Sequence, residues 1–231
     1  MTLQQKFSWE PQLEARKAAI EERRALIESG KASDSTFYFA VGSAASFALE
    51  SYIVNGTACD RNVGKLVIDA VDAYFYGDWR KTLATPDGKK GQDAWNPFCL
   101  WYEQVQRSLP FAAALSDWDA MERIAAYPPK DKLPEAAKAK GETAWGWALI
   151  SYLRNRPQAE VEDFLKRAEA DRAKRPKLLA PVLRALMDKS PSAYTDSLLS
   201  YLAYFRQREC RMDLGKIIAL EGTTLYHLEP V

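Results

Sequence analysis

Histidine is nearly missing from this chain: His227 is the only one in 231 residues. A lone imidazole excludes multi-histidine metal centres and leaves any serine, threonine or cysteine nucleophile with one candidate base. Cysteine is scarce as well. Cys59, Cys99 and Cys210 are far apart and odd in number, which fits neither a disulfide framework nor paired metal ligands and points to a reducing compartment. There is no glycine-rich phosphate cradle of the GxGxxG or GxxxxGK[ST] kind. Charge of either sign is not in excess: the formal net charge is +1, so no overall field recruits nucleic acid or an anionic membrane. The longest apolar run, 37–54, is rich in Ser, Gly and Ala and contains Glu50, which argues against a membrane span. The opening MTLQQKFSWEPQLEARK lacks the apolar core of a secretory signal. The expectation is a cytoplasmic protein that uses no cofactor and no metal.

What the chain does have is a recurring aromatic pattern. ALESYI at 48–53, ALISYL at 148–153 and SLLSYL at 197–202 resemble one another, and Tyr102 falls midway between the first two. Tyr52, Tyr102, Tyr152 and Tyr201 thus mark an interval of about fifty residues, near the upper end of helical-repeat periods. Trp95, Trp145 and Tyr194 each precede one of these tyrosines by seven residues, two helical turns, so both rings share a face.

Helices are expected along most of the chain. Residues 11–29 carry a narrow stripe of Leu13, Ile20 and Ile27 on a charged background, with Gly30 placed to end the helix. A small-residue helix capped by Asp34 or Ser35 follows, then one from Asp60 with Val63, Leu66, Val67, Ala70, Val71 and Tyr74 at helical spacing. Pro, Gly and like charges at 82–93 predict a surface loop. Asn96 and Pro97 start a helix with Phe98, Tyr102, Val105 and Leu109 on one side, and Pro110 interrupts it. Ser116 with Asp119 suggests a capping box for a short helix through Ala126. The Pro-bearing, charged stretch at 127–134 is the candidate linker. Residues 142–154 and 158–168 then read as a helical hairpin joined at Asn155 to Pro157. A shorter helix around Leu179 to Leu186 tolerates Pro181 only near its start, and Ser190 and Pro191 open the next. The tail, with Gly215 and Gly222, reads as irregular or a small β-hairpin. The expected fold is all-α: one domain over 1–231 of stacked antiparallel hairpins, ending in a short irregular or β-like tail.

Few groups suggest catalysis. Asp69 with Asp72 and Asp117 with Asp119 place acids near one another, but such pairs are commonly solvated helix faces or caps. His227 follows Thr223, Thr224 and Tyr226 in the tail, where a structural role is the simpler reading. The cations between Lys130 and Lys189 are interleaved with acids, as on ordinary helix surfaces. Among the seven tryptophans, Trp95 and Trp145 fit buried stripes, whereas Trp101 and Trp147 sit on faces their apolar neighbours do not fully share. Tryptophan is enriched where binding energy concentrates. Trp101 and Trp147, with Tyr127, Arg154 and Arg156, are therefore the candidate partner contacts.

The Trp95, Phe98, Tyr102 spacing and its echo at Trp145, Ala148, Tyr152 resemble the first helix of a tetratricopeptide repeat, although the fifty-residue interval differs from that family's thirty-four. The run AWNPFCLWYEQ and the hairpin WGWALISYLRNRPQAEVEDFL, in a compact all-helical chain, resemble the helical immunity proteins of bacterial polymorphic toxin systems, in particular the immunity protein 49 family. That resemblance implies a protein that binds and blocks a co-encoded toxin, and it transfers no site residue. The leading expectation is a non-enzymatic protein-binding module with a toxin as partner, and with neither nucleic acid nor membrane. The rivals are an enzyme or small-ligand protein using Asp69, Asp72, Glu103 or the 223–227 tail, and a structural adaptor.

Overall fold

A computed structural model describes residues 10–29, 108–126, 138–209 and 219–228, with positions 31, 47, 61, 64, 65, 67–69 and 72. Every regular element is helical, with no strand among the described residues, so the all-α expectation holds. The chain divides into two units, Met1–Trp95 and Asn96–Val231. The expected loop at 82–93 and linker at 127–134 lie outside the described residues, as do Trp101, Tyr127 and Glu103.

In the first unit, α1 (Glu10–Glu28) is a charged helix whose described side chains are mostly exposed, with Ile20 half-buried. The Lys31 amide donates to the Leu26 carbonyl at 3.0 Å, the long bond that closes a Schellman turn. Farther on, Gly64, Val67 and Ile68 are buried while Arg61, Lys65 and Asp69 are exposed, the one-sided pattern expected of the third helix.

The first α-helix among the described residues of the second unit is α2 (Leu109–Ala114), which has Pro110 in its first turn, a position that tolerates the missing N–H. α3 (Trp118–Ala126) follows. Its cap is Asp117 and not Ser116: the Ala120 amide donates to Asp117 Oδ1 at 3.0 Å, while Ser116 takes the left-handed conformation that ends α2. The carboxylate reaches the amide three residues on, so the helix starts one residue later than a Ser116 box requires.

The expected hairpin is formed by α4 (Gly141–Leu153) and α5 (Gln158–Ala170), joined through Asn155 with φ of 52°. A second hairpin, α6 (Lys174–Met187) and α7 (Pro191–Tyr204), packs α6 against both α4 and α5. α6 starts well before Leu179 and keeps Pro181 in its interior, contrary to the sequence expectation. Buried Leu179, Ala180, Val182 and Leu183 hold the helix continuous, and tertiary packing outweighs the ~3 kcal/mol that an interior proline typically costs. A π-turn, Phe205–Glu209, extends α7.

The tail departs most from expectation. Residues Leu220–His227 form a helix, α8, packed on α2 and α7. Gly222 is not a turn residue: a Cβ there would meet Leu202 Cδ2 at 3.0 Å and Tyr201 Cε1 at 3.3 Å. Its lack of a side chain lets α8 lie against α7. Among the described residues no helix is long and apolar enough to cross a membrane.

Candidate functional site

Two places in the second unit bring polar side chains together. The first is a groove at the turn end of the α4–α5 hairpin. A cleft of about 600 Å³ is lined, among the described residues, by Glu122, Arg123 and Ala126 of α3, and by Leu153, Arg154, Asn155, Arg156 and Pro157. A second cleft of about 350 Å³ shares Glu122 and Leu153 with it and continues to Trp118, Asp119, Met121 and Leu228. The two are one groove with an aromatic end and a basic end.

Local structure fixes each wall. The Asn155 amide donates to the Tyr152 carbonyl at 2.9 Å and the Arg156 amide to the Ser151 carbonyl at 3.0 Å, a Schellman closure of α4 that turns residues 154–157 across the end of α3. Arg154 Nε donates to the Ala125 carbonyl in the last turn of α3, pinning that arginine to the neighbouring helix where the dipole favours a cation. Arg156 Nε donates to both oxygens of Glu160, at 3.2 and 3.1 Å. This pair is about one-third exposed on each side and so orders the guanidinium more than it stabilises the fold. At the other end Trp118 is 53% exposed. It lies roughly a quarter-turn from the centre of the buried stripe Ala120, Met121, Ile124 and Ala125, at about 100° per residue.

The structure therefore joins two of the sequence candidates, Arg154 and Arg156, and supplies Trp118 as their aromatic companion. It removes Trp147. That side chain is 1% exposed and stacks on Phe164, ring centroids 6.1 Å apart. Trp147 fails as a contact because α4 is packed by α3, α5 and α6 and is buried on nearly all sides, leaving no outward face of the kind a surface helix has. The usable signal in the sequence was Trp118 itself, placed at a helix start beside two acids.

The second convergence is Arg175 in the first turn of α6. Its guanidinium meets Glu209 of the π-turn, with Nε to Oε2 at 2.7 Å. It also meets Glu221 of α8 at 3.3 Å and Glu142 of α4 at 3.4 Å. Tyr201 completes the group, its hydroxyl donating to Glu221 Oε2 at 3.0 Å. Burial alone lowers the proton affinity of Arg175, but the hydrogen bond it donates to Glu209 and the charges of Glu221 and Glu142 outweigh it and raise the pKa. Burial raises the Tyr201 phenol, and Glu221 adds to that. The Glu142 carboxyl is raised mainly by burial, with Arg175 opposing and Glu221, Glu209 and Asp171 reinforcing. The arrangement ties four elements together through one cation.

The remaining candidates for chemistry are dispersed. Asp69 is exposed and Asp72 half-buried in the first unit. In the tail helix, Thr223 Oγ1 donates to the Ala219 carbonyl at 3.2 Å and Thr224 Oγ1 to the Leu220 carbonyl at 3.4 Å. Both hydroxyls are thus directed at their own helix, and His227 packs edge-on against Tyr226. Among the described residues no group of three or more His, Cys, Asp or Glu side chains is arranged to hold a metal ion. Comparison with family models, curated proteins and solved structures finds no match to this chain.

Proposed function

We propose that this chain is a non-enzymatic protein-binding module, and specifically an immunity-type protein that binds and blocks a cognate bacterial toxin through the groove between α3 and the α4–α5 turn. The observation that carries the proposal is Trp118, a half-exposed indole at one end of a groove whose other end holds Arg123, Arg154 and Arg156. Tryptophan and arginine are the residues that most often dominate interface energies. Stacked helical hairpins supply a rigid support for them, and the resemblance to helical immunity proteins supplies the partner class.

The test is co-purification of the tagged chain with the product of its neighbouring gene, coupled to growth of cells expressing that product. A stoichiometric complex that protects growth, with affinity reduced about thirtyfold or more by Trp118→Ala, supports the reading. No complex, or a complex indifferent to Trp118→Ala and Arg156→Ala, sinks it. A small-ligand site is the second reading, and it draws on the convergence of Glu142, Glu209 and Glu221 at Arg175. A cationic metabolite that raises the melting temperature of the wild type but not of Glu209→Gln would favour it.

A further inference from the structure

The opposite end of the α4–α5 hairpin holds a separate cleft of about 500 Å³. Its described lining contains four cations, Lys138, Lys140, Arg167 and Arg172, and one carboxylate, Asp171. Thirteen residues of helix separate it from the groove at the turn, roughly 20 Å at the α-helical rise. The chain is shaped to make this cleft. Gly141 has φ of +55°, and a Cβ there would meet Asp171 Cγ at 3.0 Å and Oδ2 at 3.1 Å. Only glycine meets both conditions without strain, and the close approach sets Lys138 and Lys140 beside the end of α5. Asp171 Oδ1 accepts from the Ala173 amide at 2.9 Å, which holds that carboxylate in the turn.

Local electrostatics accounts for only half of these charges. Arg167 and Arg172 lie at the C-terminus of α5, where cations complement the helix dipole, and Arg167 pairs with Asp163 and lies over the Phe164 ring at 5.3 Å. Lys138 and Lys140 precede the N-terminus of α4, the end at which cations are unfavourable. Both are exposed, as is Arg172, and none of the three forms an ion pair among the described residues. Arg156, Arg175 and Arg184, by contrast, each meet a glutamate.

We propose that this cleft is a docking site for an acidic peptide segment, whose carboxylates supply the counter-charge that the helix start and the two lysines call for. It goes beyond the groove reading, since it uses different residues and stands without them. None of the described lining residues is aromatic, so these residues offer no stacking platform of the kind that holds single-stranded nucleic acids.

The experiment is fluorescence polarisation of the full chain with a labelled oligo-glutamate peptide at about 50 mM salt, where exposed charges are weakly screened. The expected result is saturable binding, weakened about tenfold or more by Lys140→Glu and by Arg172→Glu and lost in high salt. Arg206→Glu makes the same charge change at an exposed position outside the cleft and should stay within about twofold of wild type. Circular dichroism of each variant verifies that the helices persist. Absence of binding, an equal loss with Arg206→Glu, or tighter binding of a single-stranded oligonucleotide through the same two residues would each overturn the proposal. Because no groove residue is altered, that failure would leave the groove reading standing.

Discussion

Glu142 lies in the first turn of α4 with its carboxylate 3.4 Å from Arg175, and burial raises its pKa above the ordinary value of 4.5. Glu221, Glu209 and Asp171 push in the same direction. A carboxyl whose folded pKa is raised contributes stability that is fully present below its unfolded pKa and is lost as pH rises through the folded value. Glu142 therefore favours the fold in mild acid and opposes it near neutrality. Glu142→Gln, a permanent stand-in for the protonated form, should narrow the difference in melting temperature between pH 5 and pH 8 by raising the value at pH 8. An unchanged difference would mean that the pairing with Arg175 already compensates the burial. Glu162 runs the other way, since hydrogen bonds from Arg184 lower its pKa, and its contribution fades only as the solution becomes acidic.

Three helices of the second unit end in left-handed residues that are not glycine: Ser116 after α2, Asn155 after α4 and Lys189 after α6, with φ between 50° and 54°. Each is followed by the long Schellman bond, from Asp117 to Ala112, Arg156 to Ser151 and Ser190 to Ala185. Asparagine tolerates this conformation, whereas lysine carries the full Cβ penalty. Lys189 is exposed, so Lys189→Gly should stabilise the protein by roughly 0.5–1 kcal/mol, net of the greater chain entropy of glycine. Urea denaturation with an unchanged slope and a higher midpoint is the expected readout. A lower midpoint would show that the Lys189 side chain stabilises the turn by more than its backbone strain costs.

At the scale of the second unit, Arg175 links α4, α6, the π-turn and α8 through its pairs with Glu142, Glu209 and Glu221. Glu221 is 3% exposed and Arg175 17%, so removing the cation strands a buried carboxylate. Arg175→Met should destabilise by about 3–5 kcal/mol, and adding Glu221→Gln should recover a substantial part of that. A single variant that loses less than about 1 kcal/mol would reduce the cluster to a set of screened surface pairs. The hydrogen bond from the Tyr194 hydroxyl to the Leu225 carbonyl, 2.5 Å, and that from Tyr201 to Glu221 fasten the tail helix to the same centre. Two of the aromatics in the recurring sequence pattern are therefore joints between helices.

Periodicity and capping chemistry by themselves determined the helical class and the α4–α5 hairpin with its Asn155 turn. Those are local properties: apolar spacing marks a helix face, and short polar residues mark its ends. Which faces are buried depends on how many neighbours a helix acquires, and that is not local. Trp147 reads as surface on one helix viewed alone and is core because three others surround it. Trp118 was not among the sequence candidates and stands out because its side chain is 53% exposed at the start of α3. Gly222 and Pro181 read as breaks and sit inside helices because packing against α7, and along α6, outweighs their intrinsic preferences. The Arg175 cluster joins residues from 142 to 221, a separation no sequence window spans. Only the tertiary structure brought them within hydrogen-bonding distance, because helices far apart in the chain pack their ends together around the Arg175 guanidinium.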